Sequence, residues 1–411
     1  MKRTHCTLAL SILLASGMGS VYASPEILPS VTRCGTGNIQ AHQPEVEVVF
    51  VLDTTGSMGG LIEGAKQKIW SIASKIAQAQ PAPKLKMGLV GYRDRGDAYI
   101  TKRTALTDDL DTVYKELMDY QAGGGGDTPE SVNQALYESI ERFDWSEDSS
   151  TLRIVFLVGD APPQMEYEDD VKYQASCKLA SERGIMINTV QCGNLAGTKD
   201  FWTKISALTN GQYAAIDQDS GVQRITTPYD QEITELDQEL TSLMIDYGSS
   251  SDRAAQHNKR EIAADISKAA APEALADRAY YNQTSAGRAN LYGSKELVDD
   301  VINNKVDLDE IKQEELPEEF KGKITSEVKE IITKNHEQRV QIQAKLRDLN
   351  ALRIAHQEQV LSTMDADGFD SKVLQTLELQ GASIGLRFHS TDSAPDSSEP
   401  TKALKSTDLK D

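Results

Sequence analysis

Histidine, aromatics and long apolar runs are scarce in this chain. Six histidines are scattered through 411 residues, and beyond the amino-terminal His5-Cys6 pair no serine, histidine and acid grouping or cysteine with a nearby histidine marks a nucleophile. Aromatics make up only 6%, against 26% charged residues, which favours long solvated helices somewhere in the chain. No stretch approaches the ~20 apolar residues of a membrane-spanning helix. Basic residues are also in deficit, 43 against 63 acidic ones, so nucleic acid is a poor partner for the surface. The glycine run Gly123 to Gly126 lacks the Lys and Ser/Thr of a phosphate-binding loop.

The first residues read as an export signal: Lys2 and Arg3, an apolar stretch from Leu8 to Ala15, then Val21-Tyr22-Ala23 before Ser24. Cleavage after Ala23 is expected, with a periplasmic or secreted product. Without Lys2 and Arg3, 43 basic residues become 41 against 63 acidic ones, and the net charge moves from −20 to −22. Cys34, Cys177 and Cys192 remain, an odd number that allows one disulfide in an oxidising compartment without saying which two pair.

Two folded parts are expected from the length and the patterning. From residue 45 to 217, short β-branched runs alternate with amphipathic stretches, the rhythm of an α/β fold with a doubly wound, mostly parallel sheet. Expected strands are Glu45 to Asp53, Lys84 to Asp94, Tyr99 to Leu106, Thr151 to Gly159, Ile185 to Cys192 and Gln212 to Ile216. Pro129 suits the first turn of a helix whose buried face carries Val132, Leu136, Ile140 and Phe143. Ile233, Leu236, Leu240, Leu243 and Tyr247 predict one helix from Tyr229 to Tyr247, packed back on the sheet. The division is then a signal peptide at 1–23, an extension at 24–44, the α/β domain at 45–247, an α-helical C-terminal region at 248–389 and a disordered tail at 390–411. In the helical region Ile324 to Leu361 predicts a long helix, either in a coiled coil or in a helical hairpin, with its apolar stripe broken at Asn335 and Gln338. Self-association through these helices is one consequence.

Three strand ends deliver oxygen-bearing side chains: Asp53, Thr55 and Ser57 after the first strand, Asp127 and Thr128 after the glycine run, and Asp160 after Thr151 to Gly159. In a parallel sheet, ligands gather outside the carboxyl ends of the strands. Carboxylates with hydroxyls make a hard, all-oxygen site, suited to Mg²⁺, Mn²⁺ or Ca²⁺ and poor for Zn²⁺.

Asp53-Thr54-Thr55-Gly56-Ser57-Met58, straight after an apolar strand, resembles the metal-ion-dependent adhesion site of von Willebrand factor type A domains, whose signature begins Asp-x-Ser-x-Ser. Gly126-Asp127-Thr128-Pro129-Glu130 and Val158-Gly159-Asp160 look like the family's second and third metal loops, in the expected order. Thr55 stands where the family has its first serine. The resemblance implies that the hydroxyls of Thr55, Ser57 and Thr128 hold a divalent cation, with Asp53 and Asp160 bound directly or through water. It implies Mg²⁺ first, with Mn²⁺ and Ca²⁺ as alternatives, and a protein partner that offers an Asp or Glu to the ion. The expected function is metal-dependent protein binding, as adhesion or scaffolding, rather than catalysis. The alternative is a chaperone-like assembly factor of the cell envelope using the same site. By position, Tyr229 to Tyr247 corresponds to the domain's last helix, which would link the site to the helical region.

Three further motifs carry less. Arg95-Gly96-Asp97 spells an adhesion tripeptide but falls in a turn. Asp365 to Asp370 hints at a calcium loop, yet Leu374 stands where its closing Glu belongs. Asn282-Gln283-Thr284 is a glycosylation sequon only in a eukaryotic secretory route.

Overall fold

The computed structural model describes residues 43–126, 128–217, 225–361 and 369–388. The expected export signal, most of the extension with Cys34, Asp127, the start of the Asp365 to Asp370 loop and the tail lie outside the described residues.

Six strands, β1 (Glu45–Asp53), β2 (Lys84–Tyr92), β3 (Thr101–Thr107), β4 (Leu152–Gly159), β5 (Ile185–Cys192) and β6 (Tyr213–Ile216), form one sheet in the order β3-β2-β1-β4-β5-β6. Every pairing is parallel except that of β2 with β3. Successive residues of a strand point to opposite faces, and here both faces are covered. Val46, Val48, Phe50 and Leu52 of β1 pack under α1 (Gly59–Ala77) and α2 (Leu110–Met118). Val49 and Val51 face α3 (Val132–Glu141), α4 (Tyr173–Glu182) and α5 (Thr198–Ala207) on the other side. Two-sided burial explains why β1 and β4 read as largely apolar runs. Each fully buried Val, Leu, Ile or Phe contributes about 1.5–3 kcal/mol. The doubly wound, mostly parallel sheet is the architecture that the patterning predicts.

Local boundaries differ in instructive ways. Pro129 lies outside α3, which starts at Val132, because the preceding segment runs beside the loop after β4: Glu130 N–H donates to Pro162 O (3.1 Å) and Gln164 N–H to Glu130 O (2.8 Å). Cys177 and Cys192 are both free and buried. One faces the α3–α5 layer and the other the α1–α2 layer, so the sheet separates them and they cannot pair with each other.

Beyond β6 the chain is helical: α6 (Asp230–Ser242), α7 (Ser250–Ala269), α8 (Pro272–Tyr281), α9 (Ser285–Tyr292), α10 (Leu297–Ile302), α11 (Thr325–Leu361) and α12 (Phe369–Gly381). The helix expected at Tyr229 to Tyr247 is shorter and sits elsewhere. Ile233, Leu236 and Leu240 of α6 pack on Ala276 and Ala279 of α8 and on Ile342 and Leu346 of α11, not on the sheet. Helix α8 intervenes because its alanines allow close approach on one side while Leu275 and Tyr281 reach the α1 core on the other. The sheet face beside α1 is closed instead by α12, whose Val373 and Leu377 are fully buried with Ile154, Phe156 and Val158 of β4. A reciprocal amide pair fixes that docking: Asn188 Nδ2 donates to Gln380 Oε1 (2.9 Å) and Gln380 Nε2 to Asn188 Oδ1 (2.8 Å).

Helix α11 runs 37 residues, and its buried side meets α6 and α10 of the same chain. Ile324, just before it, and Leu352 within it are 64% and 51% exposed. At the break in the expected apolar stripe Gln338 is exposed, while the half-buried Asn335 and the buried Arg339 form a polar seam. Asn335 and Arg339 donate to Leu243 O at the end of α6 (3.1 and 2.7 Å), and Arg339 also grips Glu296 (2.7 and 2.9 Å). Two more buried arginines tie the helices together. Arg278 of α8 forks onto Asp111 of α2 (2.7 and 2.8 Å) and reaches Asp237 of α6 (3.1 Å). Arg353 of α11 joins Asp230 and Asp277 (2.6 Å each). Burial opposes charge on both partners of Arg278, yet the guanidinium holds Asp111 below the usual carboxylate range, whereas Asp237 is left above it. The fork geometry at Asp111 accounts for the difference. Asn282 is buried and donates to Asp237 Oδ1 (3.2 Å), which takes the sequon off the surface.

Leu377→Ala is expected to cost about 2–5 kcal/mol, a core penalty. Arg278→Ala, which leaves two buried carboxylates unpaired, is expected to cost about 3–5 kcal/mol. Urea unfolding of the full chain measures both against Leu379→Ala, whose side chain is 64% exposed; losses no larger than that control's would contradict the packing described.

Candidate cation site

Strand β1 lies between β2 and β4, and the chain winds away from it in opposite directions, so its carboxyl end is the switch point of the sheet. Asp53, the last residue of β1, is in register with Tyr92 of β2 and follows Leu52, which is in register with Val158 of β4. Its carboxylate is fully buried. Oδ1 accepts the Thr55 backbone N–H (2.9 Å) and the Thr55 hydroxyl (2.6 Å), while Oδ2 is enclosed without a hydrogen-bond partner. Thr55 Oγ1 is in turn 3.4 Å from Ser57 Oγ, which is exposed at the approach to α1. Asp160 follows β4 directly, 9% exposed and close enough for its charge to act on Asp53. Gly159 must lack a side chain here, since a Cβ would lie 2.3 Å from the Tyr92 hydroxyl and 3.1 Å from Asp53 Oδ2.

The glycine run closes against this loop through backbone alone. Gly123 N–H donates to Thr54 O (3.1 Å), and Gly56 N–H to Gly124 O (3.2 Å). Gly124 and Gly125 have φ of +76° and +71°, and a Cβ on Gly125 would lie 2.8 Å from Thr55 Cβ. The run is therefore a close-packed strap over the first loop.

The structure thus brings together Asp53, Thr55, Ser57 and Asp160. Thr128 stands exposed on the same rim, hydrogen-bonded to none of these four among the described residues. A residue quoted in the second loop but given no role in the sequence reading also belongs here. Glu130 is 2% exposed, its Oε2 has no hydrogen-bond partner, and its Oε1 borders the same face of Gly125 as Thr55. Its place two residues after Thr128 was the available signal; its burial was not legible.

Among the described residues no three His, Cys, Asp or Glu side chains converge to hold an ion by themselves. The donor set instead mixes hydroxyls with carboxylates. Burial, and then the charge of Asp160, outweigh the Thr55 hydrogen bonds and push Asp53 up to about 7. Burial, and then Asp53, Asp94, Asp97 and Asp160, push Glu130 up to about 8. Burial and neighbouring acids thus oppose the ionisation of Asp53 and Glu130, so a cation among them would offset a real electrostatic cost.

A doubly wound sheet with this loop at its switch point is that of a von Willebrand factor A domain, and the chain contains one. Residues 47–228 match the family model described as von Willebrand factor A domain. The von Willebrand factor A domain-containing protein 7 of Rattus norvegicus is 32% identical over 121 residues, 29% of this chain and 12% of that protein. An ariadne-like RING finger protein of Acanthamoeba polyphaga mimivirus is 22% identical over 187 residues, 42% of this chain and 18% of that protein. The chain thus spans less than a fifth of either curated relative's length, 18% and 12%. The solved structure of proximal thread matrix protein 1 from the mussel byssus, with a zinc-occupied MIDAS motif, is 14% identical with a TM-score of 0.34, covering 43% of each chain.

Between about pH 4 and 8 the folded chain without cation binds more protons at Asp53 and Glu130 than the unfolded chain does, so its stability falls as pH rises through that window. The chelator-treated protein is therefore expected to gain from these two groups on going from pH 8 to pH 5, and added Mg²⁺ to raise Tm more at pH 8 than at pH 5. Melting curves at both pH values, with and without Mg²⁺, check the sign.

Proposed function

We propose that the chain is an exported, non-enzymatic protein-binding module for adhesion or scaffolding, in which a divalent cation at the end of β1 receives an Asp or Glu of a partner protein. The observation that carries this reading is Asp53 Oδ2, a fully buried carboxylate oxygen without a partner at the switch point of the sheet. The residues fit a hard cation: Thr55, Ser57 and Thr128 would offer hydroxyls, and Asp53 and Asp160 carboxylates. Mg²⁺ suits this set, with Mn²⁺ and Ca²⁺ as alternatives. A bound ion would supply an electrophilic position for an outside carboxylate.

The chain's own part is positional. The Asp53–Thr55 hydrogen bonds fix the first loop, and the glycine strap holds it from above while leaving Ser57 and Thr128 open to solvent. The absence of a nucleophile with an adjacent base among the loop residues supports binding rather than catalysis. Export rests on Lys2, Arg3 and the apolar stretch to Ala15.

Bound metal stabilises the native state by mass action. Wild type is expected to melt higher in excess Mg²⁺ or Mn²⁺, and Asp53→Ala and Thr128→Ala to lose that increment. An affinity pull-down from envelope extracts should capture a partner only without chelator. Equal metal-induced shifts in wild type and both variants would remove the site assignment.

A further inference from the structure

The turn between β2 and β3 supplies no cation donor in the reading above, yet it touches both other loops of the rim. Asp94 is 5% exposed, and each of its carboxylate oxygens accepts a hydroxyl from a different loop: Oδ1 from Ser131 at the start of α3 (2.7 Å), Oδ2 from Tyr167 in the segment after β4 (2.7 Å). Asp97 turns inward. Its Oδ2 accepts Gly125 N–H of the glycine strap (3.1 Å) and Asp94 N–H (3.3 Å), and a Cβ on Gly124 would lie 2.2 Å from its carboxylate. Arg95 stacks 4.1 Å from the Tyr167 ring centroid and pairs with Asp169 and Asp170. The letters Arg-Gly-Asp are thus spent on internal contacts.

We propose that Asp94 and Asp97 are positioning residues of the cation site, setting the loops of Thr128 and Asp160 against the Asp53–Thr55–Ser57 loop. The inference rests on the cation reading above. Neither carboxylate needs to meet the ion. Asp94 spaces the start of α3 from the segment after β4, and Asp97 keeps the glycine strap down on Thr55. Charge-assisted hydrogen bonds to the buried Ser131 hydroxyl, the half-buried Tyr167 hydroxyl and backbone N–H groups make such a brace stiff. Stiffness has a specific consequence, because Mg²⁺ demands a small, near-octahedral arrangement whereas Ca²⁺ tolerates variable geometry. A braced rim favours Mg²⁺; a slack one favours Ca²⁺.

The test is calorimetric titration of the full chain with Mg²⁺ and with Ca²⁺, for wild type, Asp94→Asn, Asp97→Asn and Asp53→Ala. Losing a charge near the site weakens both ions alike, so the ratio of the two affinities reports geometry rather than charge. Direct partners of metal ligands are worth about 10–100-fold in affinity, and Asp94 and Asp97 act one contact further out, through Ser131, Tyr167 and Gly125. The expected result is a Mg²⁺-to-Ca²⁺ affinity ratio lower by up to about tenfold in Asp94→Asn and Asp97→Asn. An unmoved ratio in both overturns the proposal, including where the chelated variants melt lower, because a purely structural role would not change selectivity. If Asp94→Asn does not fold, Tyr167→Phe removes one donor of the same brace and carries the same expectation. Wild-type Mg²⁺ binding by Asp53→Ala would sink the cation reading itself, whereas an unmoved ratio with Asp53→Ala inert sinks the brace alone.

Discussion

Asp53 is an acidic side chain enclosed at the end of the central strand, and much of the surrounding architecture follows from having to keep it there. Burial and the charge of Asp160 oppose its ionisation, while Thr55, with two hydrogen bonds to one oxygen, and the backbone N–H of Asp160 favour it. Moving an unpaired carboxylate out of water is costly enough that it persists only where the fold over-determines its position. Here the over-determination is visible: parallel pairing on both sides of β1, a side-chain-free Gly159, and a glycine strap bound to the loop through backbone. The first loop is held from three directions, and the oxygen without a partner faces into the cluster that a cation would suit.

A second constraint organises the other half of the molecule. A doubly wound sheet needs both faces covered, and the helix that follows β6 does not cover the face beside α1. That place falls to α12, after the chain has built a layer of α6 to α11 over α1 and α2. The layer is joined to the sheet domain by apolar packing of α8 and by Arg278, which reaches Asp111 of α2, while Arg353 ties α11 to α6 and α8 within the layer. Forked arginine–carboxylate contacts demand one geometry, which fits a layer whose apolar patterning is weak.

How far the site could be read from the residues depends on how local its parts are. Asp53, Thr55 and Ser57 share one turn after one strand, so spacing alone placed them together. Asp160 follows an equally clear strand. Glu130 was visible as a letter beside Thr128, but nothing in its neighbourhood shows that the segment after β4 folds over it and buries it. Asp94, Asp97 and Tyr167 belong to two loops whose contact depends on side chains meeting across the rim. The helices were legible where apolar spacing was strong and missed where alanines carry the packing, as in α8, since small side chains give little periodic signal while permitting the closest approach.

The sequence by itself determined the alternating strands and helices, the mostly parallel sheet and the order of the three loops at its carboxyl edge, because β-branched runs and turn residues act within a few positions of themselves. Tertiary structure alone decided which helix closes the open face, which cysteines stay apart, and which acids lose their water. A periodic apolar stripe says that a face must be covered without saying what covers it: Ile233, Leu236 and Leu240 fit a sheet as well as they fit α8 and α11. The choice went to α12 because Val373, Leu377 and the Asn188–Gln380 amide pair satisfy the apolar face and the buried polar group of β5 together, which the apolar face of α6 could not do.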